Sequence, residues 1–250
     1  MSTEPSDFYI GYNARMAPRL ARRIRLAAVS LLALAVVLPL LLIAGQQRFS
    51  TATFEFGRTR TVEGRLVEFP YPALDVDGAA GTPGSYWLVG QGKHGAAALV
   101  RGLDGRRVRV RGSLIERDGD AMLQLVPDGI EILSAPTETK ASLPVRIRTV
   151  SVIGELVDSK CHLGVMKPGE GPAHRDCAVR CLLGAVPRMI SVRGARGLPS
   201  RLALVGENGE PFSSDFPALA GRPLAIRGVL LGRGARRFLA VRVDDVKMIR

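Results

Sequence analysis

The sequence predicts a mainly β protein: one N-terminal transmembrane helix, then two tandem small β-barrels, the second with a Cys/His-bearing helical insertion. Three observations carry this expectation. Leu26 to Gly45 is an uncharged run of 20 residues rich in Leu, Ala and Val. Beyond it the chain repeats itself at an offset of 116: Leu88-Val89-Gly90 recurs as Leu204-Val205-Gly206, and the Leu103–Leu114 segment recurs as Leu219–Leu230. All three cysteines and two of the three histidines fall between Gly154 and Pro187.

Residues 1–25 form a short tail expected on the cytoplasmic side. It carries Phe8, Tyr9 and Tyr12, then Arg15, Arg19, Arg22, Arg23 and Arg25 with no acidic residue among them. The run 26–45, at ~1.5 Å rise per residue, matches the ~30 Å hydrocarbon core, and a membrane helix tolerates Pro39. The arginines before it set an N-in orientation, which predicts a single-pass protein of the bacterial inner membrane with its C-terminal domains in the periplasm. A cleavable signal peptide is the alternative. The long apolar run and the poor cleavage site at Ile43-Ala44-Gly45-Gln46 favour an uncleaved anchor. Residues 46–58, with Phe49, Phe54 and Phe56, are a juxtamembrane connector.

Residues 59–133 are expected to form the first barrel, 134–148 a linker, and 149–250 the second barrel with an insertion at 161–187. In the first copy Val108, Val110 and Gly112 alternate with Arg107, Arg109 and Arg111. That is a half-buried strand with apolar residues inward and arginines outward. Leu123 and Leu125, then Ile130 and Ile132, continue the period of two, with turns at Asp118-Gly119 and Asp128-Gly129. About five short strands per copy, with glycine in the first, suggest a small closed barrel of the OB type; an SH3-like barrel is the alternative. Val62-Glu63-Gly64-Arg65-Leu66-Val67 resembles Ile153-Gly154-Glu155-Leu156-Val157, with Gly64 and Gly154 at an offset of only 90, so the second copy has gained 26 residues. The cysteines lie in that gap.

The insertion reads Cys161-x12-His174-x2-Cys177-x3-Cys181. Gly171-Pro172 opens a short helix, and Gly184 followed by Pro187 closes it. On that helix His174, Cys177 and Cys181 share one face, and the Gly/Pro-rich loop lets Cys161 fold back. Four N/S ligands suit a closed tetrahedral zinc site. An iron–sulfur cluster is a less favoured occupant, as is copper with His162 and Met166 added. The competing reading is a disulfide between Cys161 and one helix cysteine, natural outside the membrane; the third cysteine tips the balance toward metal. Asp158 is expected to cap a turn or to orient the site from outside the ligand set. His94 is read as a loop residue and His162 as a packing or surface one.

The pattern Gly-x-x-Val-Asp-x-x-Cys, then His-x-x-Cys-Ala-x-x-Cys, then Gly and Pro, resembles a motif of small exported bacterial envelope proteins, OB-like and of uncharacterised function. The resemblance covers only 154–187, on Gly154, Val157, Asp158, Cys161, His174, Cys177, Ala178, Cys181, Gly184 and Pro187. Ala185 stands where a second glycine is expected. What the resemblance implies is a site that works as a unit; it implies no activity and no ligand.

The formal net charge of +12 favours anionic surroundings. There is no haem-attachment motif, no nucleotide-binding glycine fingerprint, no nucleophile elbow and no prominent carboxylate pair, which argues against an enzyme. The expected role is therefore an accessory or assembly subunit of a membrane complex, such as an electron-transfer complex. The partners would be the membrane and neighbouring subunits; no small-molecule substrate is evident. Two alternatives are a thiol–disulfide redox protein and a barrel that binds nucleic acid or anionic lipid. Against nucleic acid, Tyr86 and Trp87 are nearly the only aromatics available for base stacking.

Overall fold

In a computed structural model, residues 16–46, 52–76, 84–134, 144–194, 197–213 and 216–249 are described. The tail before residue 16, Phe49 and residues 135–143 of the expected linker lie outside them. Two units are distinguished, Met1–Ser50 and Thr51–Arg250.

The first unit contains helix α1, Pro18–Gln46. It begins several residues before the apolar run, because Arg19, Arg22, Arg23 and Arg25 favour helix as readily as the leucines that follow. Residues Pro18–Gly45 have a mean hydropathy of 2.9 in their most apolar stretch, none of which is buried. By length and composition this helix can cross a membrane, a test that a signal sequence also passes.

The second unit is built from two closed five-strand barrels. Strand β1 (Thr53–Phe54) lies on the outside of the first. The ring of that barrel is β2 (Arg60–Val67), β3 (Ala73–Asp75), β4 (Ser85–Val89), β5 (Arg107–Arg117) and β6 (Asp120–Ile132). It closes in the order β2-β3-β4-β6-β5, with β4 and β6 parallel and every other neighbour antiparallel. In the second barrel, β7 (Val145–Asp158) and β8 (Arg188–Arg193) are separated by helix α2 (Arg175–Leu183). There follow β9 (Arg201–Gly206), the short helix α3 (Phe216–Leu219), β10 (Pro223–Arg233), β11 (Arg236–Val241) and β12 (Val246–Met248). The ring closes as β7-β8-β9-β11-β10, again with one parallel pair, β9 on β11.

The offset of 116 maps β4 onto β9, and β5 residue for residue onto β10. Gly64 and Gly154 also play one role. A Cβ on Gly64 would meet the Asp75 carbonyl, and one on Gly154 the Ser191 carbonyl, because at each site a neighbouring strand crosses close by. Along β5 the alternation holds: Val108 and Val110 are fully buried, and Arg107 and Arg111 are exposed. Arg109 is paired across the sheet with Glu63 at 2.7 Å and Glu131 at 2.8 Å.

Strand β7 starts at Val145, inside the stretch that composition marks as linker. Its first residues, Val145-Arg146-Ile147-Arg148, alternate apolar and charged but are exposed on both faces, so no core holds them. They are held instead by hydrogen bonding along β10, from Val145 opposite Gly232 to Glu155 opposite Pro223. Similarly β1, inside the expected connector, pairs with β5, and Phe54 packs half-buried while Phe56 is exposed.

Each barrel has its own core, around Leu66, Leu88 and Leu123 in the first and around Leu156, Leu204 and Phe212 in the second. A third core joins the two barrels. It brings Tyr71, Trp87 and Met122 of the first against Val157, Met189 and Phe238 of the second, with Trp87 and Phe238 edge-to-face at 5.9 Å. Such aromatic pairs add about 0.5–1.5 kcal/mol beyond the area they bury. Tyr71 donates its hydroxyl to the Leu204 carbonyl at 2.6 Å. Arg201 reaches Asp118 and Asp120, and Arg236 reaches Asp75, all across the same junction.

Candidate metal centre

The first barrel passes from β2 to β3 through residues 68–72. The second uses residues 159–187 for the same step, and the cysteines lie there. Asp158 ends β7. Cys161–Val165 then makes one wide helical turn, Pro172–His174 a tight one, and α2 follows directly. Pro172 suits the first turn because its missing N–H has no partner to lose.

This path brings the three cysteines together. Cys161 Sγ is 3.9 Å from Cys177 Sγ and 3.9 Å from Cys181 Sγ, and all three sulfurs lie within 4.8 Å of one another. A disulfide needs about 2.05 Å. Zinc–thiolate bonds of ~2.3 Å at tetrahedral angles put two sulfurs about 3.8 Å apart. The observed spacing is too long for a bridge and fits thiol–thiol contact as well as sulfurs that could share a metal, and all three cysteines are free. Cys161 and Cys181 are buried and Cys177 is partly so.

His174 is held differently. Its Nε2 lies 2.9 Å from Asp158 Oδ2, both side chains being almost fully buried. Asp158 Oδ1 accepts the Cys161 N–H at 2.8 Å. Asp158, Cys161 and His174 thus form a second group within 4.8 Å, which shares Cys161 with the first. The four residues expected as ligands therefore fall into two overlapping groups, and Asp158 ties the imidazole to the backbone of a cysteine. His162 stands apart. Burial, with Arg117 next to it, depresses its pKa to about 4, and Arg117 donates to its carbonyl at 2.8 Å. Met166 is exposed, and His94 belongs to a loop of the first barrel.

That loop, residues 90–95, is the part of the site that sequence reasoning missed. Lys93 Nζ donates to Cys177 Sγ at 2.8 Å and is 4.0 Å from Cys181 Sγ. In return Lys160, 2% exposed, sends its ammonium to the carbonyls of Gly90 and Gly92 at 2.8 and 2.7 Å. The Gly95 N–H donates to the Gly184 carbonyl at 2.7 Å. A Cβ on Gly184 would collide with the Lys93 carbonyl, so glycine is required there for close approach. No local pattern links Lys93 to cysteines more than 80 positions away; only the folded junction does.

The electrostatics divide the thiols. The hydrogen bond between Cys161 and Cys181 pushes Cys161 up strongly, aided by burial and by Asp158. The same bond pulls Cys181 down, helped by Lys93 and opposed by burial. Lys93 is raised by its bond to Cys177, whereas burial lowers Lys160. Cys181 therefore ionises before Cys161. An ordered set of thiols beside an ammonium can bind a thiophilic metal or exchange with a disulfide.

Tyr86 and Trp87, the aromatics proposed for base stacking, are 7% and 5% exposed and sit in the cores. Compared with protein-family models, curated proteins and solved structures, the chain matches none.

Proposed function

We propose that this protein is a single-pass component of the bacterial inner membrane with both barrels in the periplasm. Its Cys3His site is formed by Cys161, His174, Cys177 and Cys181, with zinc preferred over an iron–sulfur cluster or copper. In this reading it serves as an accessory or assembly subunit of a membrane complex, such as an electron-transfer complex. The observation that carries the metal reading is the 3.9 Å spacing from Cys161 Sγ to each of the other two sulfurs. Apolar helix α1, with arginines at its start, supports the anchor and its orientation. The ring order of each barrel, with its single parallel pair, supports the OB-like reading. The absence of a reaction-bearing constellation in the sequence supports an accessory rather than an enzymatic role.

The test is metal content and free-thiol count on protein purified without chelator. About one metal per chain, lost in both Cys161→Ala and His174→Ala, supports the Cys3His site. One metal kept in His174→Ala but lost in Cys161→Ala leaves a three-cysteine site with another fourth ligand. No metal and one free thiol means a disulfide and overturns the reading.

A second reading is favoured by the split between Cys181 and Cys161. Cys181 as thiolate would attack a partner's disulfide, and Cys161 would resolve the mixed disulfide. Two thiols here would be oxidised, and two partner thiols would leave reduced. No metal and reversible oxidation of two thiols would support it.

A further inference from the structure

We infer that Lys93 of the first barrel is a removable cap on the cysteine cluster of the second, and that metal enters and leaves at Cys177 when this one side chain swings out. The inference rests on the metal reading above and adds how the site is opened.

The cluster is deeply buried at every residue but one. Cys161 is 3% exposed and Cys181 1%, and Asp158 and His174 are as thoroughly enclosed. Cys177 alone is half-buried, so the cluster lies nearest to solvent there. What stands over it is Lys93, itself half-buried, with Nζ 2.8 Å from Cys177 Sγ and 4.0 Å from Cys181 Sγ. A cation moving in among the sulfurs on this side meets a like charge at close range. A chelator or an incoming thiol meets the side chain's bulk. In both cases the ammonium must leave first.

The backbone that carries Lys93 is poorly placed to do the opening. Lys160 holds the carbonyls of Gly90 and Gly92 at 2.8 and 2.7 Å, and the Gly95 N–H donates to the Gly184 carbonyl at 2.7 Å. Lifting the loop breaks these three bonds, two of them to an ammonium that is 2% exposed. The Lys93 side chain has no such hold. Its ammonium meets only the two sulfurs among the described residues, and it sits at the end of a flexible four-carbon stem. A fixed backbone under a free side chain lets the site open without parting the barrels. One charge-assisted bond to sulfur holds the cap shut, and bonds of that class shift an equilibrium by about ten- to a hundredfold.

Full-length protein is loaded with Co²⁺, and release to phenanthroline, an uncharged chelator, is followed by the loss of thiolate charge-transfer absorbance. Lys93→Ala should take up as much Co²⁺ as the native protein, and should load and release it about ten- to a hundredfold faster, the worth of the lost bond. Lys93→Arg keeps the charge and the donors and should return exchange toward the native rate. Lys93 belongs to none of the three cores, so both variants should fold, which urea midpoints check. Native rates in Lys93→Ala overturn the cap and leave the metal site standing. So does exchange as fast in Lys93→Arg as in Lys93→Ala, because a disturbed loop and not the lost ammonium would then be the cause. Loss of Co²⁺ binding in Lys93→Ala would make Lys93 part of the site rather than its cap. No uptake by the native protein overturns the metal reading, and the cap on metal exchange with it.

Discussion

Asp158→Asn distinguishes a His174 that ligates metal from one that is only packed. Asp158 accepts the Cys161 N–H on Oδ1 and faces His174 Nε2 with Oδ2. In the variant, the amide oxygen must stay on the Cys161 side, since an NH2 there would oppose another donor. The NH2 then faces His174, and the ring must accept at Nε2 and carry its proton on Nδ1. With the native carboxylate, Nε2 carries the proton and Nδ1 keeps the lone pair that a metal requires. The substitution thus exchanges one oxygen for nitrogen, preserves both hydrogen bonds and reverses the tautomer. Bonds to a charged group contribute ~1.5–3 kcal/mol and neutral ones ~0.5–1.5. Weakening two of them costs about 2 kcal/mol. Asp158→Ala strands two buried donors and costs about 2–6 kcal/mol. If His174 is a ligand, Co²⁺ affinity in Asp158→Asn falls by the 10–100-fold typical of an outer partner, or further. The assay pairs urea unfolding of metal-free protein with Co²⁺ titration followed by thiolate charge-transfer absorbance, His174→Ala serving as reference. An Asn variant that loses about 2 kcal/mol yet binds Co²⁺ like the native protein would refute the argument, and the fourth ligand would lie elsewhere.

Two further outcomes follow from the junction. Gly184→Ala puts a methyl group on the Lys93 carbonyl, a backbone atom that yields only if the 90–95 loop moves. Overpacking of this kind costs about 1–3 kcal/mol, and Cys177 should react faster with a thiol reagent once Lys93 is displaced; an unchanged rate would show that the loop does not guard it. Tyr71 is buried, and burial pushes its phenol above the usual value near 10. Above pH 10 the unfolded chain ionises while the folded one resists, so stability is full below pH 10 and falls as pH rises. Tyr71→Phe should flatten that alkaline slope in urea midpoints measured between pH 9 and about pH 11, while losing about 1–3 kcal/mol at neutral pH through the stranded Leu204 carbonyl.

The barrels were legible in the sequence because a duplicated strand keeps its period of two and its crossing glycines, as β5 and β10 or Gly64 and Gly154 do. A period marks a strand but not its partner: the start of β7 alternates Val145-Arg146-Ile147-Arg148 with both faces exposed, and its pairing with β10 had to be seen. The convergence of Cys161, Cys177 and Cys181 followed from spacing, since a loop and two helical turns fix it locally. The attachment of His174 to Asp158 is less local: it depends on where β7 ends relative to α2. Lys93, Lys160 and the Arg236–Asp75 pair left no trace in any window of sequence, because each acts through the surface of the other barrel.

The duplication also accounts for why one copy bears the cysteines and the other guards them. In each barrel the turn after the third strand closes on itself, Gly90 to His94 in the first and Gly206 to Glu210 in the second. Only the first turn meets the long connection of the other barrel, with Lys93 on the thiols and Lys160 returning to its carbonyls. In the second barrel, Gly209 occupies the position equivalent to Lys93, and the first barrel joins β2 to β3 through residues 68–72 alone. Lengthening one connection therefore did two things at once. It created the thiol cluster, and it gave the neighbouring barrel a surface to close over it. The burial of Cys161 and Cys181 is thus a property of the paired barrels, and the 90–95 loop that joins them touches the cluster through Lys93.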